Sequence, residues 1–160
     1  MPVTLYLRNA TRKTGLDLTL VRRDIDVLMS AVGEADSSLS LSFVRDPEIR
    51  ELNRLHRHKD TPTDVLSFPM EPDLDDVERL IGDIVISLDT AARQAAAYDA
   101  SLQTEVQRLL IHGILHLLGH DHMEADERAV MEAEERRLAD SVGMPWPYLD
   151  AHRTGEDVNA

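Results

Sequence analysis

Short apolar alternations along the chain give way repeatedly to stretches of helical period. "VTLYL" (3–7) alternates and predicts an opening strand. "VRRDIDVLMSAV" (21–32) has helical spacing and stops at Gly33. In "SLSLSFV" (38–44) Leu39, Leu41 and Phe43 fall on one side and the serines on the other, the clearest strand pattern in the chain. Asp46 followed by Pro47 predicts a helix start, with Asp46 as N-cap acceptor and proline in the first turn. Ile49, Leu52 and Leu55 offer that helix a stripe to bury. "KDTPTD" (59–64) reads as a loop, "VLSF" (65–68) as a strand closed by Pro69, and "GDIVIS" (82–87) as a further strand. The acidic stretch 71–79 between them reads as an exposed loop. "DTAARQAAAYDA" (89–100) is helical, and Ser101 caps a helix that runs to about Leu118 and stops at Gly119. "EADERAVMEAEERRLADSV" (124–142) predicts the final helix.

This order predicts an α+β fold: a single mixed sheet of about four strands with four or five helices. Residues 1–143 are expected to form one domain and 144–160, with two prolines and little periodicity, a partly ordered tail. The length of 160 residues suffices for a core of that size. No stretch approaches the roughly 18 apolar residues that cross a bilayer, and the first residues lack a signal pattern. The chain has no cysteine, which excludes disulfides and thiolate metal sites. A cytoplasmic protein is the expectation.

The net charge of −13 argues against a general nucleic-acid binder. The charge is uneven, however. "RELNRLHRHK" (50–59) gathers Arg50, Arg54, Arg57 and Lys59, which reads either as a solvated helix face or as a local phosphate track.

"IHGILHLLGHDH" (111–122) holds four of the seven histidines. His112 and His116 are four apart on a predicted helix, about 6 Å apart in rise and on one face. Gly119 breaks the helix and lets the chain turn His122 back toward them. Three imidazoles with one open position are the plan of a catalytic zinc site, one ion per chain. Polar side chains within an apolar run such as Leu109, Leu110, Ile114, Leu115 and Leu117 need a partner, and a metal provides one. Asp121 fits either a carboxylate behind a ligand imidazole or a helix cap, and His120 reads as exposed.

Zinc peptidases of H-E-x-x-H type carry a glutamate after the first histidine as general base, and here that position is Gly113. Amide cleavage suffers from the loss. Phosphodiester cleavage depends mainly on stabilising charge at phosphoryl oxygens, which a metal and an arginine supply, and RNA brings its own 2′-hydroxyl.

"HGILHLLGHDH" (112–122), "LNRLHRHKDTPTDVLSFP" (52–69) and "GDIVIS" (82–87) resemble motifs of the YbeY family of bacterial rRNA-maturation endoribonucleases, in the family's order. The resemblance covers about 50–123. It implies a metal-dependent, single-strand-specific endoribonuclease acting in 16S rRNA 3′-end maturation and ribosome quality control, with the ribosomal small subunit and its proteins as partners; neither DNA nor a membrane is expected as a partner. It implies His112, His116 and His122 as zinc ligands and Arg57 as an active-site residue. A guanidinium facing the metal suits a scissile phosphate, although Arg57 paired with Asp60 or Asp64 is the structural alternative. Lys59 and Arg54 would extend the phosphate track. His120 stands where many members carry tyrosine. Thr61, Pro62, Thr63 and Asp64 either line the site or form an ordinary turn.

Two other classes fit part of the pattern. A hydrolase of another substrate, peptidase-like, would need Asp121 or Asp83 as its base. A non-catalytic ribosome-assembly factor would hold structural zinc.

Overall fold

Strands Thr4–Asn9 (β1), Ser38–Val44 (β2), Val65–Pro69 (β3) and Leu80–Ser87 (β4) form one sheet in the order β1-β2-β4-β3. β1, β2 and β4 run parallel, and β3 is an antiparallel edge strand on β4. The computed structural model describes residues 4–9, 15–70, 79–120 and 124–144, the first of these by backbone alone. Most of the predicted acidic loop, His122, Asp121 and nearly all of the predicted tail lie outside the described residues. The five helices are Leu18–Ala31 (α1), Asp46–Arg57 (α2), Leu88–Ala97 (α3), Leu102–Leu117 (α4) and Ala125–Val142 (α5). The expected α+β architecture, with its mixed sheet and its histidine helix packed on that sheet, is therefore the observed one.

Strand alternation sends side chains to two faces. Leu39, Leu41, Phe43, Ile84 and Ile86 meet α1, α3, α4 and α5 in the main core, and all five are fully buried. Val44, Leu66 and Val85 face the other way and take Ile49, Leu52 and Phe68 into a smaller cluster under α2. The two faces thus separate α2 from α4.

Two local expectations are corrected. Asp46 is not the N-cap of α2. Arg45 holds that position without a side-chain cap, and the Asp46 N–H donates to Asp89 Oδ2 at 3.0 Å. The Asp46 carboxylate turns instead to the start of α3, accepting from Ser87 Oγ at 2.6 Å and Thr90 Oγ1 at 2.7 Å. Two helix N-termini, each favouring negative charge, thereby share two carboxylates. Leu55 is not buried: it is 54 % exposed, and Asn53 takes the inward place. Ile49, Leu52, Asn53 and His56 share one face at spacings of three, four and seven, whereas Leu55 falls outside it. The Ser101 cap is as expected, its Oγ accepting from the Thr104 N–H at 3.1 Å.

Candidate active site

α4 is buried on most of its surface, and from Arg108 to Leu117 only His112 and His116 are half-buried. Their ring centroids lie 4.4 Å apart with planes at 64°, as the four-residue spacing predicts. Gly119 has φ 93°, so the chain turns two residues after the last residue of the helix, directly after the C-cap Leu118. Two of the three predicted ligands are thus brought together. The third, His122, lies outside the described residues, so no set of three potential ligands is assembled among the described ones. Two neighbouring imidazoles at the half-open positions of an otherwise buried stretch, Arg108 to Leu117, are a donor set suited to a borderline-soft divalent ion. His120 is half-buried rather than exposed, with its N–H on the Leu115 carbonyl at 3.0 Å.

Gly113, between the two histidines, faces the sheet. A Cβ there would stand 3.0 Å from Ile84 Cδ1 and 3.2 Å from its Cγ2. The position of the peptidase glutamate is therefore filled by strand β4, and α4 lies close to the sheet because residue 113 lacks a side chain. Asp83, the neighbour of Ile84 in β4, projects from the opposite face, away from α4.

Arg57 ends α2. Its Nη2 donates to the Ser67 carbonyl of β3 at 2.9 Å, and its guanidinium lies 5.8 Å from the Phe68 ring centroid. His56 meets the same ring edge-on at 5.0 Å. Ser67 is in register with Ile84, the residue against Gly113. One cross-strand pair therefore ties the anchor of Arg57 to the segment that carries the histidines. Neither Asp60 nor Asp64 pairs with Arg57: Asp60 accepts from Arg50 Nε at 2.9 Å, and Asp64 lies 3.4 Å from Arg108 Nη2. Arg54 pairs with Glu51 on its own helix. Both of those surface pairs are exposed and contribute little stability. They neutralise half of the basic strip. Among the described residues Arg57 and Lys59 carry no ion pair. His58, between them, has φ 60°, and the Lys59 N–H closes the helix on the Asn53 carbonyl at 3.3 Å.

The sequence pattern did not disclose a charged group under this site. Glu105, Arg108, His112 and His116 form one stripe of α4 at i, i+3, i+7 and i+11. Glu105 is fully buried and grips Arg108 Nε at 2.8 Å and Nη2 at 3.0 Å. The available signal was two charges in a run otherwise fit for the core.

The sequence model of the family described as Endoribonuclease YbeY matches residues 8–143. A protein from Carboxydothermus hydrogenoformans, named Endoribonuclease YbeY, is 40 % identical over 141 residues, covering 86 % of this chain and 96 % of its own. One of the same name from Pseudomonas putida is 50 % identical over 118 residues, covering 72 % and 74 %. A solution structure from Thermotoga maritima has a TM-score of 0.61 at 27 % identity, covering 90 % of this chain and 92 % of that one.

Proposed function

The chain belongs to the Endoribonuclease YbeY family, and on that premise we propose that it is a zinc-dependent, single-strand-specific endoribonuclease built as one domain over residues 1–143. The observation that carries the reading is the pair of half-buried imidazoles, His112 and His116, joined through Gly113 and Ile84 to the strand that anchors Arg57. His112, His116 and His122 would hold one zinc ion, which supplies Lewis-acid polarisation of a phosphoryl oxygen when bound.

The chain's own residues account for the rest. One N–H of Arg57 is fixed on the Ser67 carbonyl, which pre-orients the guanidinium and leaves its other donors for a phosphate oxygen. Charge that develops on the phosphoryl group is stabilised best by such a preset donor. Lys59, exposed and two residues on, suits the next phosphate along the strand, and Arg54 joins only when released from Glu51. Gly113 places no carboxylate in the peptidase position, so the proton of the attacking group, water or the substrate's 2′-hydroxyl, would leave to an acceptor other than residue 113. The chain's acidic bulk then rejects DNA and general RNA, while the small ribosomal subunit presents the substrate, the precursor 3′ end of 16S rRNA, in the cytoplasm.

The test uses labelled RNA spanning that 3′ end, single-stranded and annealed, with zinc-loaded wild type and Arg57→Ala. Cutting of the single strand by wild type alone is expected. Equal cutting by both proteins removes Arg57 from the site, and peptide turnover without RNA cutting would favour the peptidase-like alternative.

A further inference from the structure

We propose that Arg108 is a positioning residue that sets where Arg57 stands relative to the imidazoles, an inference that rests on the endoribonuclease reading above. Its side chain is 5 % exposed and lies one turn before His112. Glu105 fixes the guanidinium by a two-point grip, Nε at 2.8 Å and Nη2 at 3.0 Å, and the same Nη2 reaches Asp64 Oδ2 at 3.4 Å. Asp64 is itself well tied. Its Oδ1 accepts from the Val65 N–H at 2.8 Å, its Oδ2 from Gln94 Nε2 at 3.3 Å, and its carbonyl from the Ser87 N–H at 2.9 Å.

Asp64 ends the loop that starts directly after Arg57, and it opens the strand whose Ser67 carbonyl holds Arg57. The three residues from Asp64 to Ser67 span about 10 Å of extended chain. A circuit results: Arg57 to Ser67, along β3 to Asp64, across to Arg108, and one turn along α4 to His112. A buried guanidinium with two carboxylates is a poor way to gain stability, since apolar side chains of similar volume pack a helix on a sheet at least as well. Arg108 adds what an apolar side chain lacks, a fixed reach from the histidine helix to residue 64. A shift of about 1 Å in a group facing the reacting atoms can cost on the order of a hundredfold in rate.

The experiment measures kcat, KM and zinc content of the full-length zinc-loaded protein on single-stranded RNA, for wild type, Arg108→Lys and Asp64→Asn. Each is made alone and combined with Arg57→Lys, which retains a cation. Each single change should lower kcat about tenfold, with KM within about twofold and zinc content unchanged. In the Arg57→Lys background the same changes should cost less than about twofold, because the group they position is already lost. Asp64→Asn keeps the acceptor for Val65 and guards against loss of fold in Arg108→Lys. Tenfold losses in both backgrounds, loss of zinc, a change confined to KM, or unchanged kcat would each overturn the inference. A wild-type protein that cuts no RNA overturns the proposed function, and this inference with it.

Discussion

Gly113 lies against Ile84 so closely that a single added carbon would stand 3.0 Å from the Ile84 Cδ1 atom. Ile84 is fully buried between β2 and β3 and cannot swing into solvent. Gly113→Glu would restore the peptidase pattern in sequence while forcing a carboxylate into that contact. We expect it to destabilise the fold by about 3 kcal/mol or more, through overpacking and burial of a charge. Urea unfolding measures the loss, and a peptidase assay on the folded fraction should remain blank. A stable variant that cleaves peptides would contradict this account of the missing glutamate.

Gly82 imposes a second contact of this kind. A Cβ there would run into the Phe68 carbonyl and the Leu117 side chain, and φ is 154°. Gly82→Ala should therefore cost about 3 kcal/mol, because the obstacle is backbone and the conformation disfavours any side chain. A melting temperature within about 2 °C of wild type would argue against it.

His58 adopts φ 60° at the end of α2, a left-handed position that glycine occupies without strain. His58→Gly should stabilise the protein by about 1 kcal/mol, a rise in Tm of about 2–4 °C. Calorimetry decides the sign. A drop in Tm would mean that the imidazole holds the turn by contacts worth more than the backbone strain.

Asp46 and Asp89 make the junction of α2 and α3 sensitive to acid. Burial alone would raise the Asp46 pKa, but donation from Ser87, Thr90 and Arg93 outweighs it and holds the carboxyl below its ordinary value of 3.8. Asp89 is held low first by the Asp46 N–H, against burial, with Arg45 adding to the effect. Both carboxyls have folded-state values below their unfolded ones. Their stabilisation is therefore fully present above about pH 5 and is lost as pH falls through 3.8 and below. The gap in stability between wild type and Asp46→Asn should be constant from pH 7 to about 5 and narrow from pH 4 downward. A gap that widens in acid would reverse the sign of this coupling.

The sheet, its helices and the histidine helix were legible because they rest on periodicity, which the core enforces. Leu39, Leu41 and Phe43 are buried as their alternation requires. Leu55 misled because an apolar residue can sit on the exposed flank of a short helix, while Asn53 tolerates the inward place by donating Nδ2 to the Thr61 carbonyl at 2.9 Å. Asp46 misled because one carboxylate near two helix starts has two places to go, and only tertiary packing decides. The Asp64–Arg108 contact joins residues 44 apart, a separation that no local pattern encodes. The close approach at Gly113 depends equally on a partner strand. The motif drew attention to Arg57 as an expectation only, and its anchor on Ser67 is a backbone carbonyl that leaves no mark in the side-chain sequence.

The central claim is that the imidazole pair belongs to a metal site that performs RNA cleavage. The most direct measurement titrates zinc into metal-stripped wild type and His116→Ala, following zinc occupancy and cleavage of single-stranded RNA in the same samples. The account predicts that wild-type cleavage rises in proportion to occupancy to one ion per chain. His116→Ala should bind zinc at least about tenfold more weakly and remain inactive at the zinc concentration that saturates wild type. Cleavage independent of occupancy, or undiminished in His116→Ala, would contradict it.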